Sequence, residues 1–234
     1  MDPTLRQTIN DAAFAERHAL DGVVVCQHGN NGTLPAGVGD TGNGPCTLRN
    51  QRFGLRSPPV FGRPDVAAAG QLFVIAAGSG DAIAAATPLF DAIGQKTFVV
   101  SETPKAANLV KLSGNFLIAV VIESLGEAMA LVGKGGVGLH QYLDILTSTL
   151  FSAPIYKTYG TLIADRKFLP AGFAARLGQK DIRLALAAAE ELSVPLPLAS
   201  LLRDRFLTLM AHGGDELDWS AIGGLAAKDA GEEG

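Results

Sequence analysis

The run Ala106-Ala107-Asn108-Leu109-Val110-Lys111-Leu112-Ser113-Gly114-Asn115-Phe116 sets a lysine and an asparagine four residues apart in an otherwise apolar helical stretch. That spacing puts both side chains on one helix face, one turn apart. A lysine is rarely buried without a partner or a task. Here the flanks Leu109, Val110, Leu112 and residues 116–122 read as core. The pair suits proton transfer to a carbonyl or hydroxyl oxygen, with Lys111 as general acid/base and Asn115 as the amide that orients it. On spacing alone the plainer alternative stands beside this reading. In it, Lys111 snorkels to solvent from an amphipathic helix and Asn115 makes one local hydrogen bond.

Two other segments carry groups of the same kind. In residues 173–185, Lys180 and Asp181 are adjacent and so point in different directions on a helix. Taken alone they describe a solvated helix face. Beside Lys111, the Lys180 ammonium would attract an anionic substrate or a phosphate-bearing cofactor. In Ser57-Pro58-Pro59-Val60-Phe61-Gly62-Arg63-Pro64-Asp65, the prolines and Gly62 force an extended, then turned loop. It is either a connector or a substrate loop in which backbone N–H groups near Gly62, and the Arg63 guanidinium, face a carboxylate. A third pattern, Gly37-Val38-Gly39-Asp40-Thr41-Gly42, matches G-x-G-x-x-G, yet Pro35 precedes it and Asn43-Gly44-Pro45 follows. No helix begins well across Gly44-Pro45, so the match reads as coincidence in a Gly-rich loop.

Composition narrows the function classes. The 234 residues carry a net charge of −4, with acids and bases scattered, which argues against a nucleic-acid partner. Cys26 and Cys46 are too few for a disulfide scaffold or a four-ligand zinc site, and His18, His28, His140 and His212 have no ligand spacing, so no metal is expected. A reducing cytoplasm is the expected compartment. The start Met1-Asp2-Pro3-Thr4-Leu5-Arg6 lacks an apolar signal region. The longest uninterrupted apolar run, residues 116–122, is too short to span a bilayer, which sets membrane insertion aside.

The elements that must position these groups fall into three zones. Residues 1–57 are irregular, with a short helix over 11–20, a buried strand over 22–26 and a Gly/Asn/Pro-rich loop over 28–44. Residues 58–104 read as part of an α/β layer: a core strand at 72–78, a helix over 81–93 with Asp81 as N-cap or first-turn acid, and a strand at 96–100. From residue 105 the pattern is all helical. A long helix over 106–134, apolar on nearly every face between 116 and 122, belongs in a core or between subunits. Further helices are expected over 139–151, 154–165, 173–192, 198–212 and 218–228, the last with Asp218 as N-cap.

Taken together and in order, Pro59-Val60-Phe61-Gly62, residues 72–78, 106–115, Phe173 with Lys180-Asp181, and Gly213-Gly214-Asp215 through Asp218-Trp219-Ser220-Ala221-Ile222 resemble the β-hydroxyacid dehydrogenases. This is the group around 3-hydroxyisobutyrate dehydrogenase and the related 6-phosphogluconate dehydrogenases. The resemblance covers residues 58–228. It implies the fold class: an α/β remnant of a Rossmann domain (residues 1–104, of which 1–57 are atypical), then an all-α substrate and dimerisation domain of the 6-phosphogluconate dehydrogenase C-terminal kind (105–230). It implies NAD or NADP as cofactor, a small hydroxy acid or aldehyde as substrate in a cleft between domains, and a homodimer through the 106–134 helix. By the same resemblance Lys111 is the catalytic acid/base, Gly62, Arg63 and Asn115 bind substrate, and Lys180 and Phe173 line the cofactor site.

The chain departs from that family's pattern in two places. The substrate loop of such proteins reads Pro-Val-Ser-Gly-Gly. Here Phe61 stands in the place of the serine and Arg63 in that of the last glycine, so a bulkier or more apolar substrate is expected. The imine reductases are near relatives, but a lysine at 111 favours carbonyl or alcohol chemistry. Second, no strand with a true Gly-rich dinucleotide turn is read in residues 1–57. A truncated or rearranged gene product would have this sequence, with severely reduced cofactor affinity. The rival expectation is therefore a catalytically inactive homologue that persists as a dimerising fold.

Overall fold

A computed structural model describes residues 58–232. The elements read in residues 1–57, the Gly-rich pattern at 37–42, both cysteines, His18 and His28 lie outside the described residues. The chain divides into two compact units, Met1–Lys111 and Leu112–Gly234.

In the first unit, β1 (Val60–Phe61), α1 (Pro64–Ala68), β2 (Leu72–Ala77), α2 (Gly80–Ile93) and β3 (Gly94–Ser101) follow in order. Among the described residues the sheet order is β1-β2-β3, β1 antiparallel and β3 parallel to β2. Successive strand side chains face opposite ways, and β2 uses both faces. Leu72, Val74 and Ala76 pack with Ala82, Ala86, Phe90 and Ile93 of α2. Ile75 and Ala77 pack with Phe61 and with Ala107. Ser79 caps α2 by accepting from the Ala82 N–H at 3.4 Å, and Asp81 is its first-turn acid. This is the expected strand–helix–strand layer. The turn before it is more ordered than its prolines suggest: a short strand and a five-residue helix flank Gly62.

The second unit is helical. It holds the rest of α3 (Lys105–Lys134), then α4 (Leu139–Thr147), α5 (Pro154–Ala164), α6 (Ala175–Glu191), α7 (Pro197–Ala211) and α8 (Ala221–Asp229). The fold-class expectation holds: a small α/β layer followed by an all-α part. Ala119, Ile122, Leu125 and Met129 of α3 meet Ile182, Leu202, Phe206, Trp219 and Ile222 in one core. The backbones of α3 and α8 touch where Gly126 lies against Gly223; a Cβ added at Gly126 would stand 2.5 Å from the Gly223 Cα.

Three expectations need correction. Leu109 and Val110 are exposed, and Leu117 is 60% exposed, so the apolar flanks of the Lys111 pair are not all core. Only one stripe of α3 faces the helices packed on it. The helix read over 139–151 stops at Thr147. The Thr147 and Thr149 hydroxyls donate back to the Leu143 and Ile145 carbonyls, and the chain turns out of the helix there. Asp218 does not cap the last helix, which starts at Ala221. One of its oxygens accepts from the Ser220 N–H at 3.0 Å and hydroxyl at 2.7 Å. The other accepts from the Gly172 and Phe173 N–H groups at 2.9 and 3.2 Å.

By length and composition α3 could cross a membrane. Its buried polar residues instead engage neighbouring helices. Glu123 pairs with Arg205 of α7 at 2.5 Å, and Arg205 also meets Asp229 of α8 at 2.6 Å. Neither Glu123 oxygen accepts an aligned hydrogen bond among the described residues. Burial pushes the Glu123 carboxyl up from 4.5 to about 7, Arg205 pulling it down and Glu127 adding to the rise. A folded-state value above the unfolded one means the folded protein binds this proton more tightly. The associated stability is fully present below the unfolded value of 4.5 and is lost as pH rises through about 7. Urea unfolding is expected to show a loss of at most about 3 kcal/mol across that window. In Glu123→Gln this part of the slope should vanish; equal slopes in both proteins would contradict the assignment.

Candidate active site

The stripe Ala107, Lys111, Asn115, Ala119 repeats every four residues and so runs along one face of α3. Ala107 is buried against Ile75, Ala77 and Phe61. One turn on, within the same unit, the half-buried Lys111 holds its Nζ 4.4 Å from the centroid of the Phe61 ring. An ammonium over an aromatic face is attracted by the ring quadrupole. Lys111 thus has an aromatic partner.

Phe61 is held firmly. It pairs with Phe73 across β1 and β2. The next residue, Gly62, has φ +150°, and a Cβ there would stand 2.6 Å from Leu72 Cδ2. Only glycine fits both the backbone and the space. Gly62 is exposed and Arg63 half-buried, and the Arg63 carbonyl accepts from the Ala67 N–H at 3.0 Å to start α1.

In the second unit Asn115 is buried and its Nδ2 donates to Oδ2 of Asp181 at 2.6 Å. The partner is on α6, so this is no local bond. Asp181 itself is buried, and its Oδ1 lies 3.7 Å from the Lys180 Nζ. The picture of Lys180-Asp181 as a solvated pair diverging on a helix face is therefore corrected. The long lysine side chain reaches back to the buried carboxylate while its head stays partly exposed. Phe173, just before α6, is half-buried with its ring edge-on to Trp219 at 4.7 Å, and Tyr159 meets Trp219 at 5.9 Å. Asp218 fixes the Phe173 backbone through the bonds given above, and the Trp219 N–H adds one to the Phe173 carbonyl at 2.8 Å.

So Lys111 sits with Phe61, Asn115 with Asp181 and Lys180, and Phe173 with Trp219. Sequence reasoning did not connect Asp181, Asp218 or Phe61 with these site residues. Asp181 carried a signal: it lies at helical spacing with the buried Gly178, Ile182 and Ala185 of α6, on the apolar stripe. An acid on such a stripe needs a partner. Asp218 carried a weaker one, an acid between Leu217 and Trp219 two residues before an αR turn. Nothing in the sequence paired Phe61 with Lys111.

Residues 106–225 match the family described as NAD-binding of NADP-dependent 3-hydroxyisobutyrate dehydrogenase, so the chain belongs to that family. More particularly, it is 46% identical over 164 residues to the uncharacterized oxidoreductase YfjR of Bacillus subtilis, covering 70% of this chain and 57% of that protein. It is 31% identical to glyoxylate/succinic semialdehyde reductase 1 of Arabidopsis thaliana, over 70% of this chain and 56% of the relative. Among solved structures, 3-hydroxyisobutyrate dehydrogenase (ygbJ) of Salmonella typhimurium superposes with a TM-score of 0.66 at 30% identity, over 72% of this chain and 59% of that one. The chain spans somewhat over half the length of these relatives. The small sheet and following helices are thus a Rossmann-type α/β layer and an all-α domain of this family.

Proposed function

We propose that this chain carries the proton-transfer and substrate-binding part of an NAD(P)-dependent oxidoreductase acting on a small hydroxy acid or aldehyde-type substrate. The observation that carries the reading is the Lys111 ammonium, half-buried against the Phe61 ring and one helical turn from a buried Asn115. In the reducing direction Lys111 Nζ donates its proton to the carbonyl oxygen while hydride reaches the carbonyl carbon. Asn115 binds substrate with its amide orientation fixed by the Asp181 carboxylate. Gly62 and Arg63 also bind substrate, through a backbone N–H and a guanidinium that suit an anionic or carbonyl oxygen.

The nicotinamide cofactor supplies the hydride when bound. The residues proposed to hold it are Lys180, whose ammonium suits a phosphate or carboxamide oxygen, and Phe173, whose half-buried ring suits a planar face. Both belong to the span that matches the NAD-binding family, and both are anchored within it by Asp181 and Asp218. The proposed domain division is a partial cofactor domain over 1–104 and a helical domain over 105–230. The exposed Leu117 and Leu131 on α3 support a homodimer through that helix, and the reducing compartment proposed is the cytoplasm.

Titrating NADH and NADPH into the purified chain, followed by nicotinamide fluorescence, tests this function against the inactive-homologue reading. Saturable binding at micromolar concentrations is expected. Absence of binding up to millimolar concentrations would favour a dimerising fold without chemistry.

A further inference from the structure

Phe173 lies just before α6 and belongs to no helix or strand. Its backbone is tied to the segment 217–219. The Asp218 carboxylate accepts from the Gly172 N–H at 2.9 Å and from the Phe173 N–H at 3.2 Å. The Trp219 N–H donates to the Phe173 carbonyl at 2.8 Å, and the Ala175 N–H to the Leu217 carbonyl at 2.8 Å. Both backbone polar groups of Phe173 therefore bond to one short segment, and its ring meets Trp219 edge-on. The carboxylate is itself locked. Its other oxygen accepts from the Ser220 N–H and hydroxyl at 3.0 and 2.7 Å. A carboxylate buried to this depth is retained only when donors satisfy it, and bonds to an ionised acceptor are the strong ones.

We infer that Asp218 is a positioning residue for the nicotinamide cofactor: it fixes the place of the Phe173 ring, and so sets cofactor affinity without touching the cofactor. The inference rests on the reading of Phe173 as part of the cofactor site. At 1% exposure Asp218 has almost no surface to offer a ligand, whereas the Phe173 ring is only half-buried. An aromatic side chain that stacks on a planar base strengthens binding by roughly 5- to 150-fold. That gain is largest when the ring is held in place before the ligand arrives, because no ordering cost is left for the binding step. Without the carboxylate, the Gly172 and Phe173 N–H groups, at half-buried positions, turn to water and the ring loses its fixed place.

The test titrates NADH and NADPH into the 234-residue chain, followed by nicotinamide fluorescence, in wild type, Asp218→Ala, Phe173→Ala and the double variant. Asp218→Ala is expected to raise Kd about tenfold with the number of sites per chain unchanged. Phe173→Ala should raise it by a similar factor, and Asp218→Ala should add nothing further in the Phe173→Ala background, because the two residues act as one unit. A purely structural role for Asp218 would instead lower the number of sites at unchanged Kd. That result, an unmoved Kd in Phe173→Ala, or an Asp218→Ala effect undiminished in the double variant would overturn the inference. If Asp218→Ala fails to fold, Ser220→Ala, which removes one donor to the carboxylate, should raise Kd about threefold; an unchanged Kd there would overturn it equally. Absence of binding to wild type up to millimolar concentrations would remove the function reading and this inference with it, whereas wild-type binding with unmoved variants removes the inference alone.

Discussion

Lys111→Ala is expected to lower turnover by about 10²- to 10⁴-fold, the range that general acid catalysis contributes, in a protein that stays folded. The substitution removes an ammonium held 4.4 Å above the Phe61 ring. That cation–π attraction contributes on the order of 1 kcal/mol to stability. Alanine is the strongest helix former and Lys111 lies well inside α3, so its removal is partly offset. Lys111→Arg sharpens the result. Arginine keeps the positive charge and its affinity for the ring, but its guanidinium does not deprotonate under working conditions. It should therefore be nearly as inactive as alanine. Near-normal turnover in Lys111→Arg would reduce the role of this residue to charge alone. Circular dichroism and steady-state nicotinamide oxidation on the same samples make both comparisons.

Gly126→Ala is expected to be the most destabilising single-methyl change in the helical unit, with a cost on the order of 3 kcal/mol. The added Cβ would stand 2.5 Å from the Cα and 2.6 Å from the carbonyl carbon of Gly223. Both obstacles are backbone, so no rotamer change relieves them. The helices α3 and α8 must separate, and the packing around Ile122 and Ile222, both fully buried, loosens. The atoms nearest a Cβ in Gly178→Ala belong to the rings of Phe206 and Trp219, at 2.8 and 2.9 Å. Those rings can tilt, so a smaller cost is expected there. Urea midpoints of the two variants should rank in that order; equal midpoints would mean that α3 and α8 can part freely.

Periodicity made much of this legible. The β2–α2–β3 layer and the long α3 follow from apolar spacing, and the Lys111/Asn115 pair from its place on one helix face. What spacing cannot give is the identity of a partner distant in the chain. Asn115 and Asp181 are 66 residues apart, and only the packing of α3 against α6 brings them together. Asp181 is still distinctive in the sequence as an acid on an apolar stripe. Asp218 reads as an N-cap because an N-cap and an Asx turn begin with the same residue types, and the choice depends on the distant Gly172 and Phe173 amides. The Phe61 ring over Lys111 rests on the strand register of Val60–Phe61, which a Pro-flanked two-residue strand does not announce.

The proton donation proposed for Lys111 is tested most directly by amine rescue of Lys111→Ala. With reduced nicotinamide and an aldehyde substrate, added methylammonium should restore turnover in proportion to its concentration, and leave the wild-type rate unchanged. An alanine variant that turns over at the wild-type rate without amine would contradict the account.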